Sequence, residues 1–69
     1  MAREAHLEAV RHHLNAASKH LAAVNKYNEG DPDGALKHSD EARVASKVAD
    51  GKSVEAHKQA TEAVKLKLI

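Results

Sequence analysis

Residues 2–24 repeat with a strict period of seven. Leu7, Leu14 and Leu21 form one column, Val10, Ala17 and Val24 a second, and Ala2, Ala9, Ala16 and Ala23 a third. Two turns of α-helix take 7.2 residues, so such columns stack along a helix, whereas a strand alternates every second residue. Together they make one broad apolar face that has to be covered. His6, His13 and His20 form a fourth column, which falls on a helical wheel between the alanine column and the Val10 column.

Two stretches punctuate the rest. Asn28–Gly34 reads N-E-G-D-P-D-G, in which Gly30 suits the left-handed residue that ends a helix and Asp31-Pro32 suits an N-cap followed by proline at the first helical position. Asp50-Gly51-Lys52-Ser53 offers a second glycine stop and a serine N-cap. The pattern predicts a single all-α domain over 1–69, an antiparallel up-down-up three-helix bundle with helices at about 2–28, 32–49 and 53–67. The expected inward residues are Leu7, Val10, Leu14, Ala17, Leu21 and Val24 on the first helix. Ala42, Ala45 and Val48 join them from the second helix and Ala60 and Val64 from the third, with Leu68 closing the last stripe.

The core of such a bundle is thin. Fourteen Ala, six Leu and six Val supply nearly all the apolar residues, Tyr27 is the sole aromatic, and there is no cysteine. A 69-residue chain buries only about 60% of its unfolded surface, and domains of this size usually add a disulfide, a metal or a partner chain. Without cysteine the last two remain, and thiolate zinc, iron-sulfur and covalent c-type haem sites are excluded. Eleven basic and ten acidic residues are interspersed, so no basic stripe or aromatic platform suits nucleic acid. No apolar run reaches the 18 or more residues that would span a membrane. Levelling the three helices leaves residues 2–9 projecting beyond the other two, which predicts a homo-oligomer through the first helix around Leu7.

No catalytic arrangement stands out. Ser18, Ser39, Ser46 and Ser53 lack a nucleophile elbow or a glycine-rich oxyanion loop, and Glu4 with Glu8 reads as a solvated pair. A non-enzymatic role is therefore expected. The concentrated chemistry is six histidines, where average usage gives one or two. His6, His13, His20, His38 and His57 fall on or beside inward stripes, and only His12 points elsewhere. Histidines seven apart on one helix are separated by ~10.5 Å and cannot share an ion, so a metal site has to form between helices. An antiparallel first hairpin brings His20 level with His38, and a second turn at Gly51 brings His57 level with His13.

The segments A-S-K-H at Ala17–His20, A-L-K-H-S-D-E-A at Ala35–Ala42 and V-E-A-H-K-Q-A-T-E-A-V at Val54–Val64 resemble the repeats of the small metal-binding protein family. That resemblance implies a cysteine-free, histidine-bearing periplasmic bundle that holds Cu(II), Ni(II) or Zn(II) through imidazoles. It puts His13, His20, His38 and His57 in ligand positions, with His6 and His12 as further candidates. Copper is favoured by the general affinity order. The chain departs from the family in having fewer histidines and three helices rather than four, so fewer or weaker sites are expected. The rival reading is a structural or interaction bundle whose histidines have no metal role and whose first helix offers its apolar face to another helix. Regular Leu and Ala columns are also what binary patterning of a designed bundle produces.

Overall fold

A computed structural model describes residues 2–68; Met1 and Ile69 lie outside the described residues. Two helices account for nearly all of them. Helix α1 spans Ala2–Asn28 and helix α2 spans Pro32–Leu68, 27 and 37 residues long. The molecule is an antiparallel helical hairpin of 59 × 13 × 11 Å. Its radius of gyration is 16.3 Å, where a compact chain of this length has about 11 Å.

The turn follows from its residues. Gly30 takes φ +75°, the Gly30 N–H donates to the Tyr27 carbonyl at 3.0 Å, and the Asp31 N–H donates to the Lys26 carbonyl at 2.9 Å. This pair of bonds is a Schellman closure, and it satisfies two carbonyls that the end of α1 leaves free. Asp31 then caps α2: its carboxylate accepts the Gly34 N–H at 2.9 Å, and its carbonyl accepts the Ala35 N–H at 3.0 Å. A Cβ at position 34 would run into that carboxylate, so glycine there leaves the cap its room.

The three-helix bundle is corrected to two helices. Asp50-Gly51-Lys52-Ser53 stays inside α2. Glycine in a helix interior costs only about 1 kcal/mol relative to alanine, and no proline follows to enforce a stop. Against that cost stands the column Ala35, Ala42, Ala49 and Ala56, which passes Gly51 in unbroken phase and is buried along its whole length. A turn at Gly51 would throw Ala56 out of that seam.

The inward face is corrected as well. The buried residues are Ala9, Ala16 and Ala23 on α1 and Ala35, Ala42, Ala49 and Ala56 on α2. Leu7, Val10, Leu14, Leu21 and Val24 on α1 are between 52% and 65% exposed, and Val48 and Val64 on α2 are exposed too. Of the other residues expected inward, Ala42 is buried, Ala45 and Ala60 are half-buried, Ala17 is exposed, and the Leu68 side chain lies outside what is described. The cause is geometric. One neighbouring helix covers only one side of α1, and methyl side chains let two backbones approach more closely than leucine would. No third helix remains for the Leu and Val columns.

The overhang is reversed. Helix α2 is the longer element, residues 61–67 are exposed, and Ala2 is half-buried beside α2, lining a shallow hollow with Gln59 and Ala63. Leu7 is exposed because it faces away from α2, and the projecting N-terminus behind the expected homo-oligomer is not there.

Candidate interaction face

The seam has two edges. On one edge His13 Nε2 lies 2.7 Å from Ser53 Oγ, and His20 Nε2 lies 3.3 Å from Ser46 Oγ. Seven residues forward on α1 answer seven residues back on α2, so the histidine column of one helix meets the serine column of the other. On the opposite edge Glu8 meets Lys52 at 3.1 Å, with His12 at 3.7 Å and Arg11 at 3.8 Å from the same carboxylate oxygen. The hydrogen bond from Lys52 and its charge, reinforced by Arg11 and His12, hold the Glu8 carboxyl below its ordinary pKa.

The six histidines do not converge. His20 and His38 fail to pair because they occupy opposite edges of the seam. His20 meets the serine column, whereas His38 shares the heptad column of Lys52 and binds Glu41 of its own helix at 2.9 Å. His57 is exposed one helical turn beyond Ser53, His13's partner, and its carbonyl accepts the Thr61 hydroxyl at 3.0 Å. His6 is exposed at the start of its column. His12, expected to point away, is at the seam with its side chain only 27% exposed, because the seam runs along the alanine column and not along the Leu and Val columns.

Among the described residues no group of three or more His, Cys, Asp or Glu side chains could hold a metal ion. No such group gathers His13, His20, His38, His57, His6 and His12, and this overturns the expected Cu(II), Ni(II) or Zn(II) cofactor and the resemblance to the small metal-binding proteins on which the periplasmic reading rested. No family model, curated protein or solved structure matches the chain. No helix among the described residues is long and apolar enough to cross a membrane.

What the structure assembles instead is an apolar surface. Leu7, Val10, Leu14, Ala17, Leu21 and Val24 form a straight stripe on α1, ~25 Å long at 1.5 Å per residue, turned away from the alanine seam. One border is His6, His13, His20 and Tyr27; the other is Glu4, Arg11, Ser18 and Asn25. Two His–Ser pairs cross the seam, His13 with Ser53 and His20 with Ser46. Among the described residues neither imidazole has a carboxylate to orient it, and both serines sit within α2 without a loop of convergent N–H donors. Sequence reasoning missed Ser46 and Ser53 as the partners of the histidines, although Ser39, Ser46 and Ser53 repeat every seven residues just as the histidines do.

Proposed function

We propose that this chain is a non-enzymatic interaction module whose α1 stripe docks a helix of another protein. The observation that carries this reading is the placement of the largest apolar side chains. Among the described residues none of them is fully buried, the seam is built from alanine, and six residues from Leu7 to Val24 form a continuous exposed stripe. Contiguous apolar patches on soluble proteins mark interaction sites far more often than single exposed leucines do.

Surface area supports the same reading. The chain exposes 5339 Å², whereas a compact monomeric protein of 7.4 kDa exposes about 4,200 Å². The excess of roughly 1,100 Å² is larger than the ~800 Å² that one partner contributes to a standard protein interface. Hydrogen-bonded edges and a capped turn hold the hairpin in register.

A photo-crosslinking residue at position 14, compared with one at position 58 on α2, tests the reading in cells. The expected result is a discrete crosslinked product from position 14 that disappears when Leu7 and Leu21 are replaced by serine. Identical patterns from both positions would contradict it.

A further inference from the structure

The two borders of the stripe differ chemically. On α1 both acidic residues, Glu4 and Glu8, lie away from the histidine border; that border carries His6, His13 and His20 and no carboxylate. The arrangement is periodic, with one imidazole per heptad beside the Val10, Ala17 and Val24 column of the stripe. Imidazole is the side chain whose charge changes in the ordinary physiological range, near pH ~6.5 in general.

We propose that the helix docked on α1 is amphipathic, with a leucine-type heptad bordered on one edge by glutamate or aspartate at the same seven-residue spacing, and that the His6–His13–His20 column recognises those carboxylates. This rests on the docking role of the stripe and names the chemistry of its occupant. The charge logic is one of complementarity. A basic-edged helix finds no opposing charge on this border, whereas an acidic-edged helix finds an imidazole N–H for its carboxylates at every heptad.

His13 and His20 each engage Nε2 with a serine of α2, so Nδ1 is the ring nitrogen left to meet a partner's carboxylate. On α1 the column's one charged near neighbour by helical spacing is Arg3, three residues before His6. From α2, Ser46 and Ser53 face His20 and His13. Beyond the serines on that edge come Arg43, Asp50 and His57 at helical spacings of three and four, bringing one guanidinium, one imidazole and a single carboxylate. The column therefore meets little opposing charge within its own molecule. The length of the stripe, ~25 Å, calls for a partner of three heptads and not a short peptide.

The test uses the full chain and labelled 21-residue helical peptides that carry a leucine heptad, with glutamate or lysine on one edge, followed by fluorescence anisotropy at pH 6 and pH 8. Three rim pairs, each worth about a factor of two, should favour the glutamate peptide roughly five- to tenfold at pH 6. The preference should shrink at pH 8 and vanish in the variant His6→Gln, His13→Gln, His20→Gln. Equal binding of both peptides at both pH values, or tighter binding of the lysine peptide, overturns the acidic-edge proposal and leaves the docking role standing. Failure of both peptides to bind overturns both readings. So does sedimentation showing that the chain alone covers its stripe with a second copy.

Discussion

Asp31 works for both helices. Its N–H closes the end of α1 on the Lys26 carbonyl, and its carboxylate caps the start of α2 on the Gly34 N–H. Asp31→Ala keeps the first bond and removes the second, so urea unfolding should show a loss of about 0.5–2 kcal/mol. An unchanged midpoint would show that the cap does not hold the turn. Glu8 contributes through its ionised form, because Lys52 keeps its folded-state pKa below the unfolded value. That contribution is present above the unfolded-state pKa and is lost as pH falls through the depressed folded-state value. Glu8→Gln should therefore lower the melting temperature at neutral pH, and the gap to the parent should close under strongly acidic conditions and narrow in high salt. A gap that persists at low pH would assign the effect to packing.

At the level of the elements, the continuity of α2 is the decisive feature. Gly51 is helical, has no positive φ, and has open space where a Cβ would go. Gly51→Ala should then stabilise the hairpin by about 0.5–1 kcal/mol, whereas a glycine closing a helix in the left-handed region would lose stability on the same change. The buried Ala42 responds in the opposite direction. Ala42→Leu should overpack the seam and cost about 1–3 kcal/mol, and a neutral result would place the seam elsewhere. The first turn and the helical character of both halves were legible because Gly30, Asp31 and Pro32 each have a backbone geometry they alone suit well. The second turn was over-read from one glycine and one serine. The in-phase columns of Ala42, Ala49, Ala56 and of Ser39, Ser46, Ser53 held the contrary signal. The stripe itself was plain in the sequence, but which side of it faced a neighbour was not. Periodicity gives the phase of a face, and only the number of neighbouring helices decides which columns are covered.

For the whole molecule, an alanine seam with exposed leucines means that stability and binding are carried by different residues. Helix α2 runs straight through Gly51 and leaves the α1 stripe uncovered. Spin labels at Lys37 and Lys65 test it most directly, since both residues are exposed and lie in one heptad column of α2. A continuous helix at 1.5 Å per residue places the two backbones ~42 Å apart, so the measured separation should centre near that value. A third helix folded back at Gly51 would set the same two positions side by side at roughly the 8–10 Å of packed helices, and a distance distribution centred below about 20 Å would contradict the account.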